Sequence, residues 1–346
     1  MAQVIQLASH PRPPSGAAAR AALVDAVRHH RRDDGDVFWL KENAELLNVM
    51  ETTGQGEPDL LAGYQDIYDG LAERLRFFPQ YYRFLLSIAL DLEDMGLPGD
   101  VGTRMAQYVA RQGLAGAELS DLQRAEARRL LARRDLAAPD PGLEGRLHAF
   151  ANRADTFALP NRKAAYELTH IVFYLSDYGR RAPGLGPEAL TSLRYAGLVA
   201  LLEHNADLLA EICIALRFAG EGAPHEWLAW LRARLRAARV VQGAQALLPD
   251  SYHDWLMVRW VLALEGQDLC TTGLGQGRLS FQMPQPDGPL RRLSETLLRM
   301  GGNRAPDWAQ MRPAIWPTLS DDQQATMALA ESAPWFEPFF ARFARA

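Results

Sequence analysis

This sequence predicts an all-α protein of about fifteen antiparallel helices. Three observations predict it. Apolar residues recur at i, i+3, i+4 and i+7 along most of the 346 residues, which collects them on one helical face. Capping residues and glycines punctuate those stretches at short intervals. Only one segment, Arg278 to Met283, alternates like a strand. Short connections cannot carry a chain across a domain, so successive helices become antiparallel neighbours. The expected architecture is a helical bundle or an α/α toroid-like array, with at most one short β-hairpin near 274–283.

The helices are expected over 17–32, 37–51, 59–77, 80–95, 102–111 and 121–134, then over 143–152, 162–177, 187–203, 206–219, 225–241 and 252–265. The series closes with 290–300, 308–315 and 321–339. In the fourth, Tyr81, Phe84, Leu85, Ile88, Leu92 and Met95 form the apolar stripe. Ser120, Asn205 and Ser320 are natural N-caps, while Pro187 and Pro224 suit a first turn. Gly96, Gly113, Gly179, Gly220 and Gly266 follow helix ends, where a left-handed residue is needed.

Residues 1–16 are polar and carry Pro11, Pro13 and Pro14, which predicts a disordered N-terminal tail without a secretory core. Pro139, Pro141 and Gly142 make 137–142 the best linker. It would divide a helical region over 17–136 from one over 143–346 that holds the candidate site, unless the two form one continuous domain.

Composition excludes several classes. The hydrophobic fraction is 48%, enough for a large core. The net charge of −5 argues against a nucleic-acid partner. No apolar run approaches the ~18 residues of a membrane span, so a soluble, cytoplasmic, bacterial protein is expected. Two cysteines make no disulfide framework; Cys213 reads as core, and Cys270, beside a glycine-rich turn, as exposed. Of the 37 basic residues only Lys41 and Lys163 are lysine. Spread over many amphipathic helices, the arginines read mainly as surface solvation in a GC-rich coding sequence. Gly273, Gly275 and Gly277 precede an extended segment, whereas a dinucleotide loop needs a strand before the glycines and a helix after them.

The chemistry lies with the histidines. Glu167 and His170 are i, i+3 on one helical face, a spacing that offers a carboxylate and an imidazole to one metal ion. The alternative is a buried histidine that merely has a hydrogen-bond partner. His204 follows Glu203, and Asp207 and Glu211 continue along the next helix. These carboxylates are either metal ligands or a solvated acidic stripe. Asp250 and His253 repeat the i, i+3 spacing, although Asp250 after Pro249 also suits a cap. Tyr174 and Tyr252 are candidate proton donors beside His170 and His253. Glu42, Asn43 and Glu45, like Asp91, Glu93 and Asp94, read as solvated faces.

In chain order these motifs are a carboxylate, Glu167-x-x-His170, a carboxylate and Asp250-x-x-His253. That order resembles the ligand order of ferritin-like di-metal carboxylate proteins, which implies a divalent metal such as Fe, Mn or Zn. The run ELTHIVFYLSDYG, then HNADLLAE, then YHDW is similar to uncharacterised bacterial all-helical proteins, over roughly 166–264. That resemblance implies a shared helical fold and carries no reaction with it.

The expected function is therefore a helical enzyme, metal-dependent through Glu167, His170, Asp207, Glu211 and His253. It would be an oxidoreductase or hydrolase acting on a small metabolite or peptide, with His170, His204, His253, Tyr174 and Tyr252 as catalytic candidates. The alternative is a non-catalytic peptide- or protein-binding scaffold. It would use the arginine-rich faces and the aromatic C-terminus from Trp335 to Phe340, which could also form a homodimer surface. The sequence contains no G-x-S-x-G element, P-loop or paired zinc cysteines.

Overall fold

The computed structural model describes residues 16–243, 245, 247, 250–270 and 273–345. Residues 1–15, expected as a tail, lie outside that set. The first helices are α1 (Gly16–Asp25), α2 (Val37–Thr52), α3 (Pro58–Leu61), α4 (Gln65–Phe77), α5 (Tyr82–Asp94), α6 (Val101–Gln112) and α7 (Asp121–Ala132). There follow α8 (Leu143–Ala151), α9 (Ala154–Phe157), α10 (Arg162–Leu175), α11 (Pro187–Leu202), α12 (Ala206–Phe218) and α13 (His225–Ala237). Strand β1 (Arg239–Gln242), α14 (Tyr252–Leu264) and β2 (Leu279–Gln282) come next. The chain ends in α15 (Leu290–Met300), α16 (Trp308–Ile315), α17 (Asp321–Glu331) and α18 (Phe336–Ala344).

The fold is all-α apart from one antiparallel ribbon. β2 falls inside the segment read as strand-like, and its partner is β1, in the register Arg239↔Gln282 to Gln242↔Leu279. The helix expected to reach residue 241 therefore stops at Ala237, because the residues beyond it pair with β2 instead. The last expected helix breaks into α17 and α18 around Pro334, whose ring cannot continue a helix. Caps fall where the sequence puts them. Ser120 accepts from Gln123 N, Asn205 accepts from Leu208 N, and Ser320 with Gln323 forms a reciprocal capping box.

One core runs from Ala19 to Ala344 across the 137–142 segment. Helix α12 lies at its centre, against α10, α11, α13 and α14. It is buried on almost every side, with Ile212, Cys213 and Ile214 fully enclosed and Asp207 and Glu211 as its buried polar residues. Helix α2 packs on α5 and α14, and so brings the N-terminal half to the same centre.

Two expectations are corrected here. Cys270 is buried, and burial pushes its thiol up to about 12. The arginines are not only a solvating surface. The side chains of Arg31, Arg129 and Arg133 are buried, and Arg31 and Arg133 hold carboxylates that had read as solvated or capping. Arg133 Nη1 lies 2.6 Å from Asp91 Oδ1, and Arg31 lies between Glu42 and Asp250. The planar, five-donor guanidinium lets a helix face be charged and still inside. The C-terminal rings Phe336, Phe339, Phe340 and Phe343 are buried in the chain's own core. Among the described residues, no helix is long and apolar enough to cross a membrane.

Candidate metal and acid–base site

Four helices, α2, α10, α12 and α14, bring their polar residues to one place. His253, in the first turn of α14, is the hub. Its Nδ1 lies 2.8 Å from Asp207 Oδ1 and its Nε2 lies 3.4 Å from Glu45 Oε1. Burial alone would depress the imidazole, but the carboxylates on its two nitrogens outweigh that and hold it well above the ordinary histidine range. In return, His253 draws Glu45 and Asp207 below the usual carboxylate range against the cost of their burial. Lys41 stands 3.6 Å from Glu45 on the same helix.

Asp207, His253 and Asp254 each offer one ligand atom, and these atoms lie within 4.8 Å of one another. Each residue is also held at another atom. Tyr166 donates to Asp207 Oδ2 at 2.6 Å, Gln285 donates to Asp254 Oδ2 at 2.8 Å, and Glu45 faces His253 Nε2. Asp207 Oδ1 is buried and accepts no aligned hydrogen bond, although His253 Nδ1 is close to it. An imidazole and two oxygen donors, steadied by outer partners, suit a divalent ion. With ~2.1 Å bonds the ligand–ligand edge is roughly 3.4 Å in a tetrahedral shell and roughly 3.0 Å in an octahedral one, so the 2.8 Å pair would open slightly to hold an ion.

Beside this hub lies a second pair. Thr169 donates to Glu211 Oε2 at 2.6 Å, and His170 Nδ1 lies 3.7 Å from the same oxygen. His170 Nδ1 lies 2.7 Å from the Tyr166 carbonyl, which can only accept, so Nδ1 is assigned as the donor of that hydrogen bond. Burial pushes Glu211 above the usual carboxylate range, against the opposing pull of His170. Burial likewise raises Asp254, with Asp207 adding to it.

The His253–Asp207 contact separates two spaces. Asp207 and Asp254 line a polar cleft of about 880 Å³ with Tyr166, Arg162, Arg291 and Arg292. His253, Glu45, His170 and Glu211 line an aromatic cavity of about 250 Å³.

The residues singled out in the sequence fall into two groups. His170, Asp207, Glu211 and His253 converge, and Tyr174 joins them, its ring centre 5.9 Å from that of His170. Glu167 makes no ion pair or side-chain hydrogen bond with the cluster among the described residues. Asp250 points to Arg31 and not to a metal, so both i, i+3 pairs are split. His204 follows α11, with φ +58°, and lines the polar cleft without touching the cluster among the described residues. Its ring reaches the Pro286 carbonyl at 3.2 Å and Thr326 Oγ1 at 2.8 Å, and burial lowers it. Tyr252 is buried, its ring centre 4.3 Å from the Arg31 guanidinium, and its hydroxyl has no partner among the described residues.

Glu45, Tyr166, Thr169 and Asp254 went unrecognised. Glu45 carried one signal, a carboxylate inside a helix whose neighbours Ala44, Leu46 and Leu47 are all buried. Asp254 adjoins His253, but its role depends on Gln285, 31 residues away.

Neither curated proteins nor solved structures gave a match to the chain. One family model matches residues 1–346, over the whole length. The chain belongs to that family, described as Domain of unknown function (DUF6902).

Proposed function

We propose that this protein is a metal-dependent enzyme of the hydrolytic type, acting on a small polar substrate in the cleft beside Asp207 and Asp254. One observation carries the reading: Asp207, His253 and Asp254 bring three ligand atoms together, and each residue is braced by a neighbour. Such bracing fixes ligand orientation before the ion arrives. A set with one imidazole and two carboxylates favours a Lewis-acid ion such as Zn or Mn. When bound, that ion would supply a polarised oxygen and an activated water.

The chain's own residues would do the rest. Glu45 holds His253 in one orientation through Nε2. Tyr166 keeps Asp207 turned so that Oδ1 faces His253. Arg162, Arg291 and Arg292 border the cleft and are paired there with Glu203 and Glu295, so the cleft presents both charges to a polar substrate. Glu211, raised by burial, lies beside His170 on the aromatic side of the His253–Asp207 contact, where it adds to the acidic surroundings of the hub.

The test is metal analysis of the protein purified without chelator, repeated on Asp207→Asn, His253→Gln, Asp254→Asn and Glu167→Gln. The expected result is one divalent ion per chain in the wild type and in Glu167→Gln, and loss from the other three. Absence of metal from the wild type, after incubation with Zn²⁺ and Mn²⁺ as well, overturns the reading.

A further inference from the structure

The groove between α4 and α6 gathers arginines without acids. Arg104 and Arg111 share one face of α6, and Arg76 comes from the last turn of α4. Together they line a cavity of about 230 Å³ whose floor includes Leu75 and Met105, both fully buried. Gln107 and Tyr108 add polar groups to its edge, and no carboxylate stands in the lining. All three arginines are exposed, so a ligand reaches them from solvent. Arg76 and Arg111 make no ion pair or side-chain hydrogen bond among the described residues. Arg104 faces Asp100, with Nε 3.0 Å from Oδ1, but that carboxylate is itself exposed and lies outside the lining. Glu73, one turn before Arg76, borders a different hollow with Phe77 and Phe78. The arginines of the polar cleft have glutamates beside them, whereas here the positive charge stands largely unbalanced. Such a groove attracts a negative ligand.

We infer that this groove is a second binding site, for a small phosphomonoester. The guanidinium fork matches the geometry of phosphate oxygens. A phosphomonoester brings about −1.5 to −2 charge and three terminal oxygens, enough to engage three arginines. A carboxylate brings one charge and two oxygens. The volume lies under the ~300 Å³ at which drug-sized sites begin, which limits the occupant to a small molecule. Leu75 and Met105 give the organic part of the ester an apolar surface. The site lies on α4 and α6, and the metal-facing cluster on α2, α10, α12 and α14, so it stands whether or not the metal reading does.

The probe is phenyl phosphate, titrated calorimetrically into the full chain at fixed ionic strength, with chelator present and no phosphate in the buffer. Benzoate and benzylammonium carry the same ring with one negative charge and with a positive one. Phenyl phosphate is expected to bind one to one, at least fivefold more tightly than benzoate, and benzylammonium not to bind. Arg76→Gln and Arg111→Gln are each expected to weaken phenyl phosphate about fivefold, the upper end for an exposed ion pair. Arg236→Gln, at an exposed position on α13, is expected to bind as wild type does. No binding of phenyl phosphate to the wild type overturns the inference, as does benzoate binding as tightly. Unchanged affinity in both Arg76→Gln and Arg111→Gln, or an equal loss in Arg236→Gln, overturns it too. Should either α4 or α6 variant not fold, the wild-type comparison of the three probes decides alone. Loss of metal binding with phenyl phosphate binding intact would remove the metal reading and leave this one.

Discussion

Arg31 and Asp250 form a two-point ion pair across 219 positions of sequence, with Nη1 2.7 Å from Oδ2 and Nη2 2.9 Å from Oδ1. The same guanidinium holds Glu42 at 2.8 and 3.1 Å and donates to the Leu279 carbonyl. Asp250 also accepts from Phe281 N in β2. One side chain thus ties the end of the first helix to α2, to the approach to α14 and to the ribbon. Arg31→Met leaves Asp250 without its cation and Glu42 with Arg32 alone, and breaking a buried pair in this way costs about 3–5 kcal/mol. Urea unfolding should show the midpoint falling accordingly. A loss under about 1 kcal/mol would mean that the network is not holding the halves together.

His253 makes stability depend on pH in the metal-free protein. Its folded pKa is raised, so its contribution is complete below its unfolded value near 6.5 and is lost as pH rises through the folded value. Glu45 and Asp207 are depressed, so their contributions are present above about 4 and are lost as pH falls through their folded values. The stability difference between wild type and His253→Gln should be largest between about pH 4.5 and 6.5 and shrink on both sides. Chelated samples melted from acid to alkaline pH would test this. A difference that stays flat would exclude the imidazolium assignment.

Glu45→Gln keeps the shape of the contact with His253 Nε2 and removes its charge. Partners of this kind typically affect metal affinity 10–100-fold. Zinc binding measured by chelator competition should weaken by about that factor, while secondary structure is unchanged. Unaltered affinity would show that Glu45 does not orient His253.

Gly288→Ala tests the wall of the cleft. A Cβ there would stand 2.3 Å from the Leu202 carbonyl oxygen and 2.8 Å from the Glu203 carbonyl carbon, both backbone atoms. The 285–288 segment would have to lift, carrying with it Pro286 on His204 and Gln285 on Asp254. The expected loss is about 1–3 kcal/mol of stability, the range for overpacking. Gly116→Ala meets open space and should be close to neutral. Equal melting temperatures for the two variants would contradict the close approach at Gly288.

The helices were legible because their pattern is local. The apolar stripe of α5 and the caps at Ser120, Asn205 and Ser320 depend on residues a few positions apart. The ribbon was half legible: β2 alternates, but β1 is a strand only because β2 lies beside it. At the candidate site, histidines among apolar residues were the right signal, and the i, i+3 rule was the wrong link. Glu167 is adjacent to His170 in helical terms, yet the partner of His170 is Glu211 on α12, 41 positions away. Glu45 and Asp254 depend on packing between α2, α12 and α14, which no spacing within one helix encodes. Buried Asp91 and Glu42 looked solvated because the arginines that compensate them come from elsewhere in the chain.

The place of α2 bears on how the chain can be divided. Pro139 to Gly142 looks like a boundary, but Glu45, Lys41 and Asn48 reach the centre from the far side of it. A fragment beginning at residue 143 would keep both histidines of the hub and lose the carboxylate opposite His253 Nε2. It would also bare the flank of α14 that α2 covers and leave Asp250 facing no guanidinium. Cutting at 137–142 would part Glu45 from His253 and Arg31 from Asp250, and neither piece would hold both members of either pair.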